Sequence, residues 1–399
     1  MISFDIMKLP NDFVPNAYQY FEQLRQESPI HWNSDGSLIL TRYEDIVAVY
    51  RNPDVWSSDK KAVFKPKFGA QSLLYEHHTT SLVFRDPPDH TRIRRLFQHA
   101  FTPKALIALE PRIHSLIDGY LDQLADRKKM EVVSDFSFRL PVEVVCDMLG
   151  APKEDRELIR DWALQILGAL EPQISDKQML SGNKAVENFK AYLQDQIATR
   201  RRNPSARREG EILSDLMTAE EEGSRLTETE LLHQCIFMLN AGHETSTNML
   251  SHGIHEFLQN PGEIDRLVKN PGLSETATEE VLRYQAPIQI NNRLALSDTE
   301  IGKFKIPSGT TVHLMLGAAN RDPSQFPEPN LFDIARRPNR HLSFGLGIHI
   351  CAGNTLARIE ARMAFEKLFQ RFPKIKLSRP AELSDRVRFR EVTTLEIEI

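Results

Sequence analysis

His341-Leu342-Ser343-Phe344-Gly345-Leu346-Gly347-Ile348-His349-Ile350-Cys351-Ala352-Gly353 gathers three glycines, two histidines and a cysteine into thirteen residues. Two glycines two positions apart allow backbone angles that a Cβ forbids, so the chain can turn tightly round one sulfur. Amides of such a turn, and those opening a following helix, aim N–H groups and a positive dipole end at that sulfur. Such surroundings favour a thiolate at neutral pH. Gly353 leaves room for a flat ligand beside the helix. Two further readings stand beside this one: an inert buried cysteine, or half of a zinc site with its histidine neighbours. A phosphate loop does not fit, because the Lys-Ser/Thr ending is absent.

The chain around this segment has 399 residues, 41% hydrophobic and 26% charged, the mix of a globular protein with a core large enough to hide a ligand. A net charge of −5 and a pI near 6.3 give no general pull toward nucleic acid or an anionic membrane. Cys146, Cys235 and Cys351 are too scattered for a disulfide framework and lack the paired spacing of zinc ligands. No signal-peptide-like or membrane-spanning apolar run is present, so a cytoplasmic protein with no membrane anchor is expected.

Helical spacing dominates the pattern. It predicts helices over Asn16–Gln26 and Tyr43–Tyr50, with a hairpin between them turning at Asn33-Ser34-Asp35-Gly36. Residues 60–85 have weak periodicity and read as a long loop. Asp86-Pro87-Pro88-Asp89 then starts a helix. Helical patterns run from Pro103 to Arg200, broken at Gly150-Ala151-Pro152 and Glu171-Pro172. Arg200 to Arg208 and Glu220 to Gly223 read as a solvated charged loop rather than a nucleic-acid arm. Thr227-Glu228-Thr229-Glu230 is a capping box opening a helix to Gln259, roughly 48 Å long at 1.5 Å per residue. Shorter helices follow from Pro261 and over Ser274–Tyr284. Beyond Pro287 the period switches to two, with strands predicted over Arg293–Leu296, Phe304–Pro307 and Thr311–Leu316. Irregular chain from Asn320 to Pro338, a helix near Ala352 and a strand-like tail from Arg386 complete the reading. The expectation is one domain over residues 1–399, mainly α with a minor β part.

Three further constellations carry chemistry. Ala241-Gly242-His243-Glu244-Thr245 puts an acid and a hydroxyl after a glycine in mid-helix, where glycine costs about 1 kcal/mol against alanine. Glu280 and Arg283 lie at i and i+3 on one helix. His90 and Arg94, four apart, project from one helix face.

Together these residues resemble the cytochrome P450 family. Phe344, Gly345, Gly347, His349, Cys351 and Gly353 fill every fixed position of its haem-binding loop, and Ala241–Thr245 matches its acid–alcohol motif. The resemblance implies the cytochrome P450 fold, with the long helix over a haem b whose iron takes Cys351 as axial thiolate. It implies that Glu244 and Thr245 relay protons, and that His90, Arg94, Arg293 and His349 hold the haem propionates. Glu280 and Arg283 are structural in the family and lock with a later arginine, here Arg336. The implied activity is hydroxylation or other oxidation of a lipophilic small molecule. It would use dioxygen and electrons from a separate ferredoxin or flavodoxin with its NAD(P)H reductase. Arg95 and Arg358 are the candidate docking cations. By the same resemblance the substrate pocket draws on the 60–85 and 165–180 segments, Leu239, Ala241, Ile288, Gln289 and Ile290, with Gln289 as a polar handle.

Alternatives are a peroxide-driven peroxygenase of the same fold, against which Glu244-Thr245 argues, and a non-enzymatic haem- or zinc-binding protein. Two departures from the family pattern stand out. Arg85 replaces the usual apolar residue before Asp86, and Glu244 replaces the commoner aspartate.

Overall fold

Residues 4–171, 174–203, 211–219 and 223–399 are described by the computed structural model, and they divide into two compact units. The first comprises residues up to Ser57, Arg112–Arg139 and Thr245–Ile399; the second comprises Ser58–Pro111 and Leu140–Glu244.

The first unit is built round a five-stranded sheet. Ile30–Trp32 pairs antiparallel with Leu38–Leu40, which runs parallel to Thr311–Met315; Ile290–Ala295 and Trp56–Ser57 follow in antiparallel register. Gly36, with φ +79°, makes the predicted turn of the hairpin. Side chains alternate across the sheet. Leu38 and Leu40 join Ile46, Val49, Tyr50, Val312 and Leu314 on one face. Ile39, Ile290 and Met315 meet Phe4, Phe13 and Phe21 on the other. The helices Phe13–Glu27, Ser274–Tyr284 and Asn354–Arg371 belong to the same unit.

The second unit is helical. Its helices include Asp89–Ala100, Arg139–Leu149 (whose first residue belongs to the first unit), Arg156–Gly168 and Asp176–Arg202. The Trp162 ring lies 5.5 Å from Phe189 and 6.1 Å from Tyr192. The 32-residue helix Glu228–Gln259 belongs to both units, the division falling after Glu244. Its predicted capping box is present: Glu230 N–H donates to Thr227 Oγ1 at 3.2 Å, and Thr227 N–H to Glu230 Oε2 at 3.0 Å. No described helix is long and apolar enough to cross a membrane.

Two expectations need correction. Residues 60–85 are not a loop but two eight-residue helices, Lys61–Phe68 and Leu73–Thr80, with a short turn at Leu82–Phe84. Each is shorter than the window in which periodicity becomes visible, and the second buries His77, His78, Thr79 and Thr80, which a hydropathy pattern counts as outward. Lys129–Glu131, read as helix, is a strand paired with Glu396–Glu398, a partner more than 260 positions away. The expected charged loop and the break at Pro172 fall largely outside the described residues.

Candidate functional site

In the first unit, the segment 341–353 is fixed by its own backbone and by hydrogen bonds to Asn320 and Leu282. Leu342 N–H donates to Asn320 Oδ1 at 2.7 Å, Asn320 Nδ2 to Ser343 Oγ at 2.8 Å, and Ser343 Oγ to the Leu282 carbonyl at 2.6 Å. Gly345 and Gly347 take φ of +67° and +74°, as the sequence requires. A Cβ on Gly347 would lie 2.4 Å from the Tyr50 carbonyl oxygen. Cys351 N–H closes the loop on the Phe344 carbonyl at 2.9 Å, and the helix Asn354–Arg371 begins just beyond, after Gly353. Around Gly353 nothing lies within 4 Å of the position a Cβ would take, so its face is open to a flat group.

The three cysteines differ sharply. Cys146 and Cys235 are buried, and burial pushes both thiols up to about 12. Cys351 is exposed. Donor chemistry and open space at this turn fit a haem iron bound through sulfur. A zinc ion fits less well, since no group of three or more His, Cys, Asp or Glu converges among the described residues.

His349 is half-buried in the turn Gly347–His349. Arg293 is buried on the strand Ile290–Ala295, its Nη1 donating to the Asn292 carbonyl at 2.8 Å and its guanidinium 5.1 Å from the Tyr50 ring centre. Tyr50 therefore stands against both Arg293 and the glycine turn. No motif marks it; its burial in the second half of an amphipathic helix was the available signal.

Glu280, Arg283 and Arg336 form one network. Glu280 accepts two bonds from Arg283 at 2.8 Å, and further ones from Arg336 Nε, Asn339 Nδ2 and Asp333 N–H. Arg283 also donates to the carbonyls of Asn320, Pro329 and Leu331. Thr245, half-buried, opens this unit's part of the long helix.

Gln289 is not the polar handle expected. Its Nε2 donates to Tyr18 Oη at 3.1 Å and to the Ala286 carbonyl at 2.7 Å, and its Oε1 sits over Gly317. Ile290 packs among Phe4, Phe13 and Phe21. Both side chains are buried, whereas Ile288 is half-buried.

In the second unit, His90 is buried and Arg94 half-buried, one turn apart on the helix Asp89–Ala100. Glu244 is 3% exposed. Leu239 and His243 line a small cavity with Val145, Cys146 and Ala163; Ala241 is half-buried. The glycine at 242 has a packing reason: a Cβ there would lie 2.9 Å from Val145 Cγ2. Arg85 turns to Asp89 at 3.1 Å and Glu230 at 3.6 Å.

Sequence reasoning missed a polar network that fastens the helix Leu73–Thr80. His77 Nδ1 lies 3.3 Å from His233 Nδ1, His233 Nε2 lies 3.3 Å from Glu76, and Lys190 grips Glu76 at 3.1 Å. Gln234 accepts from Leu82 N–H at 3.0 Å and donates to the Thr80 carbonyl at 2.6 Å. Burial drives the imidazoles of His78 and His233 down to about 3 and about 4, so both are neutral. Adjacent histidines and a His-Gln pair on an otherwise apolar helix were the only trace.

The family described as Cytochrome P450 matches residues 15–271 and 273–385. The biotin biosynthesis cytochrome P450 of Bacillus subtilis (strain 168) is 36% identical over 378 residues, covering 92% of each chain. Vitamin D(3) 25-hydroxylase of Pseudonocardia autotrophica is 33% identical over 371 residues, covering 92% of this chain and 89% of its own. Among solved structures, P450BioI in complex with acyl carrier protein bearing hexadec-9Z-enoic acid has a TM-score of 0.91 at 36% identity, over 97% of this chain and 98% of that one. CalO2 has a TM-score of 0.91 at 29% identity, over 100% and 99%.

Proposed function

Since the chain belongs to the cytochrome P450 family, a class of haem-iron monooxygenases with thiolate ligation, we propose that Cys351 is the iron's axial ligand. The protein then oxidises a lipophilic small molecule with dioxygen. The contrast among the cysteines carries this reading: two are buried with thiols pushed up to about 12, and the third is exposed at a left-handed double-glycine turn.

Bound haem, of the b type, supplies one-electron chemistry and activates dioxygen for insertion of one oxygen atom. The chain does the rest. Cys351 gives sulfur ligation at a turn closed by its own N–H on the Phe344 carbonyl. His90, Arg94, Arg293 and His349 pair with the propionates, which would be costly to bury unpaired. Glu244 exchanges protons from a buried carboxyl, and the Thr245 hydroxyl orients water and oxygen beside it. Leu239, Ala241 and Ile288 offer apolar surface to the substrate. Electrons come from a ferredoxin or flavodoxin with its NAD(P)H reductase, in the cytoplasm. The family match runs through both units, which supports one cytochrome P450 domain over the whole chain.

Cys351→Ala is expected to abolish the thiolate-type Soret band of the reduced, carbon monoxide-bound protein; survival of that band rejects the ligand. Thr245→Ala should keep substrate affinity while diverting reducing equivalents from product to hydrogen peroxide. Full coupling in that variant rejects the proton-relay role alone.

A further inference from the structure

The guanidinium of Arg358, a candidate docking cation by sequence, is turned onto the cysteine loop. Its Nε donates to Glu279 Oε1 at 2.6 Å and its Nη2 to Oε2 at 3.1 Å. Its Nη1 donates to Asn354 Oδ1 at 2.8 Å, and its Cζ stands 4.5 Å from the Phe344 ring centre. Asn354 Nδ2 in turn donates to the Cys351 carbonyl at 2.6 Å. One cation therefore touches both ends of the loop: the ring at its start and, through a single amide, the peptide of the cysteine itself.

Glu279 is held from the other side. Ser343 N–H donates to His341 Nδ1 at 3.2 Å, which leaves the imidazole proton on Nε2, 3.2 Å from Glu279 Oε2. Burial opposes ionisation of this carboxyl, but the hydrogen bonds from His341 and Arg358 prevail and hold it at about 2.

We propose that Arg358 is a positioning residue for the Cys351 sulfur. Its charge, relayed through Asn354, sets how strongly that sulfur donates, and Glu279 is its counterweight. A hydrogen-bonded chain ending on a charge polarises each link toward it, and such outer contacts are a lever on the potential of a thiolate-bound iron. The inference rests on Cys351 being the ligand.

The test is the reduction potential of the haem-loaded full chain, measured by spectroelectrochemical titration. Removing the cation in Arg358→Gln should disfavour one-electron reduction, and removing the anion in Glu279→Gln should favour it. Arg358's side chain is 39% exposed, so water screens the effect. The expected change is two- to fivefold in the reduction equilibrium each way, about 20–40 mV at 59 mV per tenfold. Arg358→Lys, keeping the charge, should stay near wild type. A merely structural role would move the two removals in the same direction or not at all. Either result, in a protein whose wild-type carbon monoxide complex has the thiolate band, overturns the proposal alone. A wild-type complex lacking that band overturns the ligand reading and the proposal with it. If Arg358→Gln fails to retain haem, the upward shift in Glu279→Gln, together with a wild-type-like Arg358→Lys, decides the matter.

Discussion

Glu279 and Glu280 are consecutive residues of one helix, a third of a turn apart, and they lead opposite lives. Glu280 is fully buried and takes donors from two arginines, an asparagine and a backbone amide. Glu279 keeps a quarter of its side-chain surface exposed and answers to one arginine and one histidine. A third carboxyl, Glu360, lies in the helix that carries Arg358. It is 1% exposed, and no cation offsets its burial among the described residues. Desolvation pushes it up to about 8, with the Ser246 hydroxyl pulling it partly back. Saturated by charge, Glu280 holds the fold. Glu279 is balanced by charge and adjusts a loop, whereas Glu360 is deprived of charge and keeps its proton.

The sharpest way to break this ranking is Glu280→Gln. It leaves Arg283 and Arg336 buried without a counter-charge, and breaking such a group costs about 3–5 kcal/mol, a large part of a typical stability of about 5–15 kcal/mol. The variant should fold poorly; an unchanged denaturation midpoint would erase the distinction between neighbours. Glu360→Gln comes next and depends on pH. The folded carboxyl titrates near 8, above its ordinary 4.5, so its contribution is complete below about 4.5 and is lost as pH rises to 8. The variant should match wild type at pH 5 and exceed it by on the order of 3 kcal/mol at pH 8. Parallel melting curves across that range would count against a protonated Glu360.

Glu279→Gln carries the opposite sign. A carboxyl held at about 2 stabilises the fold above its ordinary 4.5 and loses that contribution as pH falls toward 2. The substitution should cost about 1–2 kcal/mol at pH 7 and nothing near pH 2, read from acid-unfolding curves of the two proteins. At the bottom of the scale, Lys184 and Glu187 form a pair more than half exposed at 2.7 Å. Lys184→Ala should change stability by at most about 0.5 kcal/mol; a larger loss in a denaturant melt would mean that exposure is the wrong variable.

What could be read ahead from the chain was chemistry contained in a few adjacent residues. The glycine turn at 345–347, the cap at Thr227 and the hairpin at Gly36 each satisfy their own backbone, so their signal is local. Gln289 misled because its partner, Tyr18, lies far off in the chain. Long polar side chains look the same in sequence whether they end in water or on another side chain. The helix Leu73–Thr80 was invisible for a related reason: apart from Leu74 its buried residues are histidines and threonines, His77 meeting His233 on another helix and Thr79 bonding back to the Tyr75 carbonyl. Glu360 carries no local mark at all, since only the packing of its neighbours makes it an acid that keeps its proton.

The parallel pairing of Leu38–Leu40 with Thr311–Met315 sets a schedule for synthesis. The first strand leaves the ribosome about 270 residues before its partner exists. At roughly 5–20 residues per second the gap lasts about 14–55 s. Through that interval Leu38, Ile39 and Leu40, all fully buried in the finished sheet, have only the hairpin strand beside them. A nascent chain arrested before Thr311 should expose this apolar edge to protease and chaperone alike, and lose that sensitivity once Met315 has cleared the exit tunnel. The order of genes into amino acids thus makes the N-terminal hairpin wait, and the last third of the chain is its template.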